Sequence, residues 1–182
     1  MFVIGEANQT SMAITMITAA TAAAVYVAHA NEPVAAAGLI AMVLVLAVLA
    51  DIDLRTHRLP NRIVGPLALA VVAAVAIAGV ATSDPARIGV AVVVGVGFVA
   101  AMLAMHIAGG LGMGDVKLSF PIGAVAGWYG LDAVIITILV TATAGGLAAG
   151  IVMAKAKTTS TRFSYGPCLA LGSVAGMIAG GT

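Results

Sequence analysis

Charge is so sparse in this 182-residue chain that it acts as punctuation. Lys, Arg, Asp and Glu make up 8% of it, and between them run seven uncharged stretches: 7–31, 33–50, 63–83, 88–114, 118–131, 133–154 and 163–182. A helix that crosses a bilayer needs about 20 apolar residues, with a range of about 17–25. Six of the stretches reach that length. The fifth, 118–131, reaches it only by starting at the Gly114-Asp115 turn, and otherwise reads as a short helix sheltered by protein. A water-soluble domain would carry roughly 25% charged residues. The sequence therefore predicts an all-α, polytopic membrane helix bundle of about seven segments, one of them short, forming a single integral-membrane unit over 1–182.

The punctuation also sets boundaries. The segments are expected at about 10–30, 34–52, 63–82, 87–108, 118–131, 132–154 and from Tyr165-Gly166-Pro167 onward. Pro60 discourages a continuous helix across the polar connection Leu54 to Arg62. The first segment has no Lys/Arg-rich start and no small-residue cleavage site, so it reads as a retained helix. If all seven segments cross, Arg55, Arg58, Arg62, Lys117, Lys155, Lys157 and Arg162 fall on one side and only Arg87 on the other. That asymmetry places the N-terminus in the cytoplasm and the C-terminus outside. It also gathers Asp53 and Asp115 on the cytoplasmic side of a multi-pass protein in the cell membrane.

Composition excludes several chemistries. A formal net charge of +1 supplies no basic field for nucleic acid. The single cysteine, Cys168, rules out an intrachain disulfide framework and a multi-Cys zinc site. The three histidines are scattered; His57 reads as a solvated loop residue and His106 as a packed or snorkelling one. No metal and no cofactor is expected. The partners expected are a lipid bilayer and, from the chemistry below, a protein substrate. Aromatic residues are scarce, and abundant Ala and Gly suit close helix contact, with Gly145, Gly146 and Gly150 small enough to serve it.

Two acidic runs interrupt this background. Asp51-Ile52-Asp53 closes one apolar stretch, and Gly112-Met113-Gly114-Asp115 lies between two others. Ionisable groups at a membrane edge are costly and default to a functional reading. Two carboxylates from distant parts of the chain suit an aspartyl protease, in which one ionised and one protonated acid share a water. Close like charges separate their titrations and create that division of labour. The ionised acid takes a proton from the water; the protonated one polarises the scissile carbonyl and assists the leaving amine. Gly112 and Gly114 reduce bulk around Asp115, and four glycines among 109–114 allow backbone conformations closed to other residues. A helix beginning near Asp115 would aim backbone N–H groups at its carboxylate. Residue chemistry alone leaves Asp51 and Asp53 as rival partners, and leaves open which acid is the base.

Three stretches carry a resemblance. Asp53-Leu-Arg-Thr-His-Arg-Leu59-Pro60-Asn61 is similar to a signature of Asp, five residues, Leu or Ile, Pro, then Asn or Asp. Gly112-Met-Gly-Asp115-Val-Lys117-Leu resembles a second, and Tyr165-Gly166-Pro167-Cys-Leu169-Ala-Leu-Gly172 a third that usually begins with Phe. Together they resemble the type IV prepilin peptidases over roughly 35–175. The resemblance implies a membrane aspartyl endopeptidase with Asp53 and Asp115 as its catalytic pair. Its substrate would be a prepilin-like protein with a short basic leader and a hydrophobic N-terminal helix, cut at the cytoplasmic membrane face. Gly112, Gly114, Pro60, Lys117, Gly166 and Pro167 would support the pair or line the substrate's approach, Lys117 more through orientation and lipid headgroups than through chemistry. The chain lacks the methyltransferase domain of bifunctional members, so it looks like the short form serving Flp-type pili or preflagellins.

Two other functions are compatible with paired membrane carboxylates. Presenilin-like and signal-peptide-peptidase-like proteases share Gly-x-Gly-Asp, but usually place their other Asp after Tyr and carry Pro-Ala-Leu late in the chain. Here Ile52 precedes Asp53, and the late triplet is Pro167-Cys168-Leu169. A small proton- or cation-coupled transporter is the non-enzyme alternative, without an inverted repeat to favour it.

Overall fold

The computed structural model describes residues 33–56, 61–109, 111–156 and 165–180. The expected segment 10–30, residues 57–60 with Pro60, and the basic connection 157–164 lie outside the described residues. The described residues form α1 (Pro33–Thr56), α2 (Asn61–Ala81), α3 (Pro85–Ile107), α4 (Met113–Tyr129), α5 (Leu131–Ala156) and α6 (Gly166–Gly180), with no strand among them. Among the described residues, three helices are long and apolar enough to cross a membrane: α2, α3 and the Leu131–Ile151 part of α5.

The helix ends follow from local chemistry. Asp84 caps α3, its Oδ1 accepting the Arg87 backbone N–H at 3.2 Å, and Pro85 opens the first turn where no N–H is needed. Gly109 follows α3 at φ +85, a conformation that favours glycine, and Gly130 turns the chain from α4 into α5 at φ +107. α1 runs past its predicted end, so the Asp51-Ile52-Asp53 run lies within the helix.

α4 is the shortest helix but one, and it occupies the middle of the bundle, in contact with α2, α3, α5 and α6. It does begin at the glycine turn, and from Leu118 to Gly127 every residue but the half-buried Phe120 is buried among its neighbours. Seventeen residues span about 25 Å, which a buried position tolerates. Leu118 and Ile122 of α4 meet Leu46 and Leu49 of α1 and Leu169 and Met177 of α6 in one core. Leu69, Ile77, Val80, Val93 and Leu147 point outward.

Small residues set the helix spacing. On α3 and α4, a Cβ on Gly123 would stand 3.0 Å from the Gly95 Cα, and one on Gly127 would stand 3.0 Å from the Ala91 Cα. On α6, Gly172 and Gly176 lie against Thr141 and Thr137 of α5, and Gly180 against Ala133 and Tyr129. Both interfaces use a four-residue spacing of small side chains, as membrane helices do. The expected use of Gly145, Gly146 and Gly150 needs correction. Among the described residues only Gly145 is packed, under the Tyr165 ring, while a Cβ on Gly146 or Gly150 would meet none of them within 4 Å. α5 continues beyond Gly145 to Ala156, about 16 Å further along its axis.

Candidate active site

Asp53 sits in the last turn of α1 and Asp115 in the first turn of α4. Although both carry a charge-bearing side chain at a helix end, they are only 5% and 6% exposed. They lie within electrostatic reach of one another. Asp51 is half-buried. Two residues apart on a helix, Asp51 and Asp53 face largely different directions, and it is Asp53 that turns toward α4 and α6.

Each carboxylate lies against a glycine. The Gly166 N–H at the start of α6 donates to Asp53 Oδ2 at 3.1 Å. A Cβ at that position would stand 2.8 Å from the same oxygen, so glycine is what allows the approach. Asp115 occupies the third position of α4 after the N-cap Gly112, with its carboxyl turned back toward the Gly112 backbone. This is the position that the carboxylate of a capping box takes. A Cβ on Gly112 would lie 3.3 Å from Asp115 Oδ2. Gly112 itself has φ −78, open to any residue. Its contribution is therefore space beside the acid; of the turn's described glycines, Gly109 alone uses the left-handed region. Asp115 Oδ1 is buried with no hydrogen-bond partner among the described residues.

The third motif closes the site. Tyr165 precedes α6, and its carbonyl accepts the Cys168 and Leu169 N–H groups at 3.0 and 3.1 Å. Pro167, lacking an N–H, occupies the first turn at no hydrogen-bonding cost. The Tyr165 ring rests on Gly145, and its hydroxyl donates to the Thr141 carbonyl at 3.4 Å. Tyr in place of the usual Phe thus gives its extra oxygen an acceptor. Tyr165 and Cys168 are both buried and within electrostatic reach of Asp115.

Two contacts escaped the sequence reading. Lys117 Nζ donates to Asn61 Oδ1 at 3.1 Å, tying the start of α2 to α4. Asn61 ends the first motif and Lys117 lies in the second, so motif membership was the available signal. His106 Nδ1 lies 2.7 Å from the Leu111 carbonyl and must donate to it, which braces the turn ahead of Gly112. Gly114 is half-buried in the first turn of α4. At the opposite end of the bundle, Arg87 stacks over Trp128 at 5.7 Å. Among the described residues, no cluster of three His, Cys, Asp or Glu side chains could hold a metal ion.

Residues 39–154 match the family model of the type IV leader peptidase family. The matched region includes both acids and ends within α5, before Gly166. No curated protein and no solved structure matches the chain.

Proposed function

The chain belongs to the type IV leader peptidase family, and from that premise we propose that it is a membrane aspartyl endopeptidase that removes the basic leader from prepilin-like proteins. The reading rests on one observation: two buried carboxylates, Asp53 and Asp115, brought together by helices from distant parts of the chain. Buried acids in mutual reach are the arrangement that two-carboxylate hydrolysis needs.

The chemistry divides between the pair. One acid, ionised, takes a proton from water as the oxygen attacks the scissile carbonyl. The other, protonated, donates to the carbonyl oxygen; a proton then passes to the departing amine as the C–N bond breaks. The Gly166 N–H fixes Asp53 Oδ2 and so sets the orientation of that carboxylate. Asp115 Oδ1, buried without a hydrogen-bond partner among the described residues, is suited to hold the water or the carbonyl. The seven-crossing arrangement, with the N-terminus cytoplasmic, would put this end at the cytoplasmic face. There it would meet a basic leader followed by an apolar helix, as in Flp-type pilins.

The test is cleavage of a co-expressed pilin-like substrate by wild type, Asp53→Asn, Asp115→Asn and Asp51→Asn, with membrane insertion checked for each. Loss of processing in the first two variants alone supports the proposed pair. Loss with Asp51→Asn and retention with Asp53→Asn moves the partner by two residues. Full cleavage by inserted Asp115→Asn sinks the proposal.

A further inference from the structure

α2 and α3 meet at one end and part toward the other. Gly79 packs against Ile88 beside their connecting turn. Toward the acid-bearing end the two helices separate and leave a groove of about 660 Å³. Its walls are Val64, Gly65 and Ala68 of α2 with Val99 and Leu103 of α3, and Phe120 of α4 lies on its floor. A Cβ on Gly65 would meet nothing within 4 Å, so this wall is bare.

The groove does not face the acids. Its floor residues on α4, Met113, Val116, Lys117 and Phe120, recur at helical spacing along one stripe. Asp115 projects from the opposite side of that helix, toward Asp53 and α6. The width is also wrong for a helical ligand. Three turns of helix with side chains, about 10–12 Å across, displace more than about 1,000 Å³ and would rest on the rim.

The mouth has a different chemistry from the walls. Lys117 and Asn61 line it, and Lys117 spends one ammonium N–H on Asn61 Oδ1. That leaves further ammonium donors and the Asn61 amide NH₂. Arg62, exposed in the first turn of α2, adds a second cation near the mouth, and the N-terminal end of that helix has the same polarity. An apolar trough ending in hydrogen-bond donors and positive charge complements an acyl chain ending in a phosphodiester.

We infer that this groove is a binding site for one anionic phospholipid, with an acyl chain between α2 and α3 and its phosphate at Lys117 and Asn61. The lipid braces the Lys117–Asn61 tie from the face of α4 opposite Asp115. The inference rests on the membrane location of the chain and is independent of the proposed cleavage chemistry.

Native mass spectrometry tests it on the full chain, released from nanodiscs of phosphatidylcholine mixed with phosphatidylglycerol. Wild type and Asp115→Asn should each retain one phosphatidylglycerol in preference to phosphatidylcholine. Lys117→Gln should reduce that preference roughly fivefold. Gly65→Leu, whose Cβ meets nothing within 4 Å and whose side chain enters the trough, should remove retention of both lipids. Equal retention of the two lipids by wild type, or retention unchanged in both groove variants, overturns the site. Displacement of the lipid from Asp115→Asn by a pilin-like peptide assigns the groove to the substrate's apolar segment and overturns it too. Because lipid retention is read without any cleavage, its failure is separable from failure of the peptidase reading.

Discussion

The Gly166 N–H reaches Asp53 Oδ2 at 3.1 Å across 113 positions of sequence. The acid end of α1 is thereby fixed to the first residue of α6, and the side chain that would block this contact is the one glycine lacks. In Gly166→Ala the new Cβ would stand 2.8 Å from the carboxylate oxygen and 3.3 Å from Asp53 Cβ and Cγ. The expected outcome is an inserted protein whose leader cleavage falls about 100-fold, the scale of a misplaced catalytic group. Single-turnover cleavage beside thermal unfolding in detergent separates displacement of the acid from loss of fold.

Gly109 and Gly112 lie three residues apart and should fail in different ways. Gly109→Ala forces a side chain onto a backbone at φ +85 and should cost about 1–2 kcal/mol of stability. Gly112→Ala meets no backbone strain but presses on Asp115 Oδ2. It should slow cleavage while leaving the unfolding temperature in place. The same shift in both assays for both variants would contradict the distinction.

The α5–α6 interface predicts a contrast among glycines. A Cβ at Gly176 would meet Thr137 Oγ1 and stand 2.8 Å from the Ala133 carbonyl, a backbone atom that cannot step aside. Gly176→Ala should therefore destabilise by about 1–3 kcal/mol. Gly146→Ala, on an open face, should be neutral or stabilising by up to about 1 kcal/mol through helix propensity. Denaturation in mixed micelles ranks the two.

Tyr165→Phe removes a long hydrogen bond to the Thr141 carbonyl and keeps the ring against Gly145. The loss should be about 0.5 kcal/mol. Tyr165→Ala also removes the ring from the core, at a cost of about 3–5 kcal/mol. Cleavage should follow the second substitution and barely register the first.

The helices were legible because charged residues gather at or near their ends, even though Pro66 and Pro121 and many glycines lie inside them. The predicted start of the last segment at Tyr165-Gly166-Pro167 and the beginning of α4 at the glycine turn both correspond to observed boundaries. The end of α1 was placed too early, since the Asp51-Ile52-Asp53 run was read as its terminus although three aspartate-flanked residues can continue a helix. What single-residue reasoning could not supply was pairing. Gly112 was credited both with lowering bulk around Asp115 and with backbone freedom; the first agrees with the space beside Asp115, whereas at φ −78 the second is not used. Gly146 and Gly150 look like packing residues until the register with Tyr165 selects Gly145 alone. Asn61 and Lys117 stood in separate motifs, and only the crossing of α2 with α4 makes them partners.

The turns of α5 beyond Gly145 have a consequence for traffic. Tyr165 fixes the height of Gly145 beside the acids, and α5 rises from there to Ala156 like a post on one side of a doorway. Leu147 and Ile151 on those turns are exposed. On the proposed reading, a polypeptide bound for Asp53 and Asp115 would be screened from that flank for about 16 Å. Its direction of entry would then be governed by a helix that contributes no acid.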